Sequence, residues 1–230
     1  LVNGLDPQGF RSEDWIKNGR QGAFEVNNFT SPAFVARVNY HGVKGLRVGA
    51  SFYYNQTAKN GTKPWRNTGY KFPVTIVTGD LQYKGFNNNL IVRGNAVYGN
   101  LGASGALTTI NNSSSAASGY PNTTVAQNAV SYGGEAGYNI GSFFHSKAPR
   151  IYPFIRYEYY NPMEKTEANT GLLADKRFQV SAVTAGLNYY ALPNLVIKAD
   201  YTHRSIGGGK YNDENLVSVG IAYIGWFIKK

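Results

Sequence analysis

The side chains in this sequence that could handle ions are spaced by twos. Arg37, Arg47, Lys84, Arg93, Arg156, Lys198 and Arg204, with Asp80, Glu135, Glu158 and Asp200, each occupy the polar phase of a segment in which polar and apolar residues alternate. Alternation is the signature of an extended strand, whose successive side chains point to opposite faces. The eleven would then line one surface, seven basic against four acidic. Basic groups around a narrow, low-dielectric passage concentrate anions and repel cations, so the chemistry to expect is the handling of ions, with a weak anion preference. The same side chains can instead pair off, Arg156 with a Glu158 neighbour or Lys198 with Asp200.

Bond-making chemistry finds little support. There is no Cys, which excludes disulfides, Cys-based zinc sites and thiol catalysis. The three histidines, His41, His145 and His203, fall in or beside turns and read as surface or interfacial residues. Only His203, with Asp200 or Ser205 nearby, offers a local hydrolase candidate. Gly207-Gly208-Gly209-Lys210 resembles a phosphate loop only superficially, because no helix follows it. Asp213 and Glu214 could hold calcium, but two loop carboxylates are ordinarily just solvated. Asn-x-Thr sequons at Asn28, Asn55, Asn60 and Asn122 add nothing to the functional reading. The expectation is a protein that is not an enzyme and has no cofactor or metal. The net charge of +10 raises the question of nucleic acid. No basic cluster with interleaved aromatics accompanies it, so nucleic acid is not expected either.

The elements that must position the charges are strands. In Leu46 to Asn55, Leu46, Val48, Ala50, Phe52 and Tyr54 face one way and Arg47, Gly49, Ser51, Tyr53 and Asn55 the other. The pattern predicts strands at about 34–40, 46–55, 74–84, 90–99, 130–141, 151–160, 178–190, 195–205 and 216–228, with Leu1 to Leu5 as the tail of another. A tilted strand needs ~9–11 residues to cross a bilayer, against ~5–6 in ordinary globular strands. No spanning helix is possible: the uncharged apolar run Gly220 to Ile228 has nine residues and is preceded by a single further apolar one, Val219. Long helices are not expected in a chain so rich in Gly, Tyr and Asn. The one helical candidate is Ser12 to Gly19, where Ser12 could cap a turn carrying Glu13 and Asp14.

Short links (41–45, 85–89, 141–150, 191–194) trade places with long ones (6–33, 56–73, 100–129, 161–177, 206–215), and Ala103 to Thr124 approaches low complexity. Tyr40, Tyr83, Tyr138 and Tyr189 precede short links, whereas Tyr54, Tyr98, Tyr159 and Tyr201 precede long ones. Sorted loops and two aromatic belts describe an antiparallel transmembrane β-barrel with short periplasmic turns and long extracellular loops. The alternative is cross-strand aromatic packing in a soluble β-protein. In the barrel reading the apolar face meets lipid and the charged face lines the lumen. His203 is the mild exception on the outward side. Nine full strands and a stub do not close as an even-numbered barrel. The expectation is therefore a single domain over 1–230 that is the C-terminal part of a longer chain; the alternative is a complete barrel of about ten strands with a short first strand.

Several stretches resemble the C-terminal half of porins of the phosphate-selective O/P type: LVNGLDPQGFRSEDWIKNGRQGAFEV, VARVNYHGVKGLRVGASFYY, YPFIRYEYYNP and VTAGLNYYALPNLVIKADY. The resemblance covers most of Leu1 to Tyr201. VNGLD and GLRVGASFYY are its most specific parts. It implies a sixteen-stranded, trimeric porin of the Gram-negative outer membrane that passes small anions or other small solutes across the lipid bilayer; the anionic partner expected for the loop lysines is lipopolysaccharide. Two departures limit it, and the second, in the loop charges, counts against a phosphate-specific ladder. The chain ends GWFIKK rather than on an aromatic, leaving Tyr223 and Phe227 to carry any insertion signal. Loop 56–73 offers Lys59, Lys63, Arg66 and Lys71, but loop 100–129 has no charge. A general porin relative is the expected function, and a plugged, non-conducting subunit of an outer-membrane complex is the alternative.

Overall fold

The computed structural model describes residues 1–20, 30–60, 69–118, 123–144 and 149–223. Nine antiparallel strands form one sheet in strict sequence order: β1 (Phe34–Tyr40), β2 (Leu46–Gln56), β3 (Pro73–Gly85), β4 (Leu90–Leu101), β5 (Asn128–Tyr138), β6 (Arg150–Lys165), β7 (Val180–Leu192), β8 (Leu195–Ile206) and β9 (Asp213–Tyr223). Every neighbouring pair is a meander hairpin, the simplest outcome when consecutive alternating segments are joined by turns. β1 and β9 are the edges, each paired on one side only among the described residues. No described helix is long and apolar enough to cross a membrane, which says nothing about crossing by strands.

The expected strands are all present, β1 at its expected bounds and the others with shifted ends. β6 runs on to Lys165 and β9 starts at Asp213, so both take up residues assigned above to long connections. β5 stops at Tyr138 because Asn139 leaves the ladder: its Oδ1 accepts from the Ile151 backbone at 3.0 Å. The expected end of the last strand at 228 lies outside the described residues. Leu1 to Leu5 is not a strand. It makes isolated bridges, Val2 with Ala33 and Leu5 with Arg20.

Two expectations about helices need correction. Ser12 to Gly19 is a turn followed by a short 3-10 segment at Lys17–Gly19, not an α-helix. The near-low-complexity stretch contains one: α1 (Ser104–Ser118). Ser, Thr and Asn are poor helix formers, and no apolar stripe announces this one. Among its described side chains Ser104, Leu107, Thr108 and Asn111 are buried, at helical spacing, with Leu107 the one large apolar group and Ile110 only partly buried beside it. Tertiary contacts supply what propensity lacks. Glu167 Oε2 accepts from the Gly105 backbone N–H at 2.5 Å, satisfying an orphan donor of the first turn with a carboxylate that also suits the helix dipole. Thr108 Oγ1 accepts from Val125 N at 2.9 Å, and Asn112 Oδ1 from Thr123 N at 2.8 Å.

The core lies at the long-connection end of the sheet. Phe10, Trp15, Phe72, Leu107, Val125 and Met163 pack there on Val74 and Leu101, with Ile76 and Ala129 beside them. By register, Val74, Ile76, Gly99, Leu101 and Ala129 share a face with the charged side chains. The segment before residue 20 and α1 thus form a cover over one end of the charged face. Trp15 is its pin. Its Nε1 donates to Ala126 O at 3.0 Å, it takes a left-handed φ of 49°, and its ring lies where a Cβ on Gly99 would be. Ser12 Oγ ties the cover further, donating to Thr124 O at 2.8 Å.

Gly99→Val should therefore expel Trp15 and loosen the cover while the sheet persists. Faster tryptic cleavage after Lys17 or Arg20, with unchanged far-UV circular dichroism, is the expected result.

Candidate functional site

Cross-strand partners share a face, so the register determines which residues stand together. Following it from Arg37 through Ser51, Thr78, Val97, Ser131 and Tyr160 to Val180 and Ile206 defines one face. All eleven expected residues fall on that face. Arg47 opposes Gln82, Arg93 opposes Glu135, Glu135 opposes Arg156, and Asp200 opposes Gly186. The opposite face carries Val38, Phe52, Val77, Leu81, Ile155, Leu187 and Val219. All eight tyrosines named above stand on this apolar face.

The charges are arranged as two carboxylates, each held between two arginines on different strands. Asp80 on β3 accepts from Arg37 on β1 at 2.7 Å and lies 3.6 Å from Arg47 on β2. The reach from β1 to β3 passes over Gly49, where a Cβ would overlap the Arg37 guanidinium and sit 2.7 Å from Asp80 Oδ2. Glu135 on β5 lies 3.3 Å from Arg93 on β4 and accepts from Arg156 Nε on β6 at 2.9 Å. The alternative in which the charges pair off is thus met here, with Glu135 rather than a Glu158 neighbour as the partner of Arg156. Lys198 and Asp200 make no ion pair among the described residues, nor do Lys84 and Glu158. Arg204 donates to Glu214 at 2.6 Å and to Tyr160 Oη at 2.9 Å.

These groups border an open concavity of about 430 Å³, lined by Arg47, Arg93, Arg156, Asp80, Glu135 and Glu158 among others. Its three arginines face three carboxylates, so its floor is balanced. Lys84 sits apart, in a second concavity beside His41 and Lys44 near the short links. The arginine side chains remain 39% to 57% exposed in the two clusters. Pairs so accessible contribute only about 0–1 kcal/mol each. They hold guanidinium groups at fixed points along a polar surface more than they hold the sheet together.

No model of a known protein family matches the chain, and no curated protein matches it.

The sequence reading missed Glu214 on the charged face. Asp213 and Glu214 were assigned to a loop, where they could share calcium. Both are in β9 and point to opposite faces, since Asp213 opposes Ser205 and Glu214 opposes Arg204. Among the described residues no group of three or more His, Asp or Glu could hold a metal. Asp200 faces away from His203, because it belongs to the charged face and His203 to the apolar one. His145, Lys63, Arg66 and Phe227 lie outside the described residues.

A double-mutant cycle on Arg37 and Asp80 should return about 0.5–1 kcal/mol of coupling. Repeated in a Gly49→Val background, the cycle should return none, because the added side chain occupies the path of the guanidinium.

Proposed function

We propose that the sheet is part of a transmembrane β-barrel of the Gram-negative outer membrane, acting as a porin for passive diffusion of small hydrophilic solutes with a weak preference for anions. One observation carries this reading: the apolar face is bare. Val38, Val217, Val219 and Ile221 are each 72% to 78% exposed, and the apolar face runs across all nine strands. Full burial of such a side chain is worth ~1.5–3 kcal/mol, and an exposed apolar surface of this breadth marks contact with a partner or a membrane. In a water-soluble sheet the packed elements would cover this face. Here the cover lies on the charged one.

The aromatic positions agree. Residues 46 and 54 of β2 stand level with Tyr83 and at Tyr54, a span of ~26 Å along the strand at ~3.3 Å per residue. At the ~35–45° tilt of outer-membrane strands this rises about 18–21 Å along the normal, which fits within their ~25 Å apolar band. The charged face then lines water. By register Arg150 joins its seven expected basic groups and Glu214 its four acidic ones, eight against five, which supports a mild rather than a dedicated anion selectivity. The unpaired edges of β1 and β9 must be satisfied for a barrel to close, by each other or by further strands. Resemblance to the phosphate-selective porin type supports the same reading.

The alternative, a plugged structural barrel, draws on the cover formed by residues 5–20 and α1 at one end of the charged face.

The test is the reversal potential of the reconstituted full chain under a KCl gradient. A potential displaced toward the chloride equilibrium is expected. The Asp80→Asn, Glu135→Gln double variant should displace it further, because it leaves four arginines without their carboxylates. Absence of any conductance would favour the plugged barrel.

A further inference from the structure

Where β8 gives way to the connection 207–212, polar side chains gather on the otherwise apolar face. His203 Nδ1 lies 3.0 Å from Asn215 Oδ1 on β9, and Tyr201 Oη donates to the same oxygen at 2.7 Å. Ser205 Oγ is 3.5 Å from His203 Nε2 and donates to Asp213 Oδ1 at 2.7 Å. Asp213 Oδ1 is itself 3.8 Å from His203 Nε2. Residues 201, 203 and 205 project to one side of β8 because they are two apart. Asn215 and Asp213 stand directly across from His203 and Ser205 in the ladder.

The hydrogen-bond roles fix the chemistry. An amide oxygen only accepts, so Asn215 Oδ1 places the imidazole proton on Nδ1. Nε2 is then left with its lone pair 3.5 Å from Ser205 Oγ, whose single proton rests on Asp213 Oδ1 and reaches Nε2 by rotation of the hydroxyl about Cβ–Oγ. A serine next to a base, with the base oriented by a third group, is the arrangement of an activated nucleophile, recognised by geometry and not by chain order. The surroundings indicate the substrate. The cluster is half exposed, with His203 at 48%, and it borders the apolar band at Val183, Tyr201 and Val217. An acyl chain laid along that band would bring its ester to Ser205.

We propose that Ser205, His203 and Asn215 form a serine hydrolase site on the lipid-facing side of the sheet, acting on the carboxylic ester of a membrane lipid. This rests on the membrane reading above. Ser205 Oγ bonds to the ester carbonyl carbon as its proton passes to Nε2. Asn215 at Nδ1–H and the Asp213 carboxylate stabilise the imidazolium. The tetrahedral intermediate expels the alcohol oxygen, which takes the proton from Nε2 and leaves as the lysolipid, with the acyl group on Ser205. Water then gives a proton to Nε2 and attacks the acyl carbon. The fatty acid leaves, and the proton returns to Ser205. Catalytic contact with the substrate belongs to Ser205 and His203. Asn215 and Tyr201 are positioning residues.

The experiment uses the full chain in phosphatidylethanolamine vesicles, with a fluorophosphonate as the covalent probe and released fatty acid as the activity. Folding of each variant is verified by heat-modifiable gel migration, and conductance is recorded in parallel. Expected are labelling of Ser205, no release from Ser205→Ala, and a loss of about 100-fold or more in His203→Ala. Conductance should stay at the parent level in both. Asn215→Ala should lower kcat with little change in KM, and Asn215→Asp, which can accept the same N–H, should restore it. An unlabelled Ser205 and no fatty acid from a preparation that inserts and conducts overturns the proposal and leaves the membrane reading standing. Hydrolysis of a soluble ester by a chain that does not insert overturns the lipid assignment together with that reading.

Discussion

The period of two along each strand is the constraint on which the rest depends. Side chains on a pleated backbone have only two directions, so one register places an entire set on one face and a slip of one residue would exchange the faces. Nine strands in sequence order keep that register from Arg37 to Glu214. Every Arg and Lys of the expected set therefore shares a surface, and Val77, Val219 and Ile221 share the other. No single ion pair or aromatic contact would impose this. The ladder does, and the pairs form where it brings them within reach.

The two faces are then finished differently. The charged face has glycines where side chains must cross. Gly49 lets Arg37 reach Asp80, and Gly99 lets Trp15 settle against β4. At its long-connection end it turns apolar at Val74, Ile76 and Leu101 and receives the cover of Phe10, Trp15 and Leu107. The apolar face receives no such cover among the described residues. This asymmetry is the observation on which the proposed membrane reading rests. It also places the His203 cluster in an unusual setting, a polar group at the margin of an apolar band.

Much of this was legible in the sequence because strands announce themselves by alternation. β1 was located to the residue, and the sorting of links by length gave the meander. The register placed all eleven charged residues together as the alternation required. What escaped the sequence reading depends on contacts between distant residues. α1 has no apolar stripe, and its first turn is satisfied by Glu167, sixty-two residues beyond Gly105. The Arg37–Asp80 and Arg93–Glu135–Arg156 clusters depend on which strands neighbour each other. Only the β8–β9 register shows that Asn215 rather than Asp200 serves His203. Local proximity in the chain pointed to the wrong carboxylate because adjacent parity in a strand means opposite faces.

The most direct test of the central claim is a scan of β3 from Val77 to Gln82. The chain has no Cys, so each substituted cysteine can carry the only spin label. With the full chain in lipid vesicles, accessibility to oxygen and to a water-soluble nickel complex is measured at each position. The account predicts alternation: oxygen maxima at 77, 79 and 81, and nickel maxima at 78, 80 and 82. Nickel maxima at 77, 79 and 81, or no alternation at all, would contradict it.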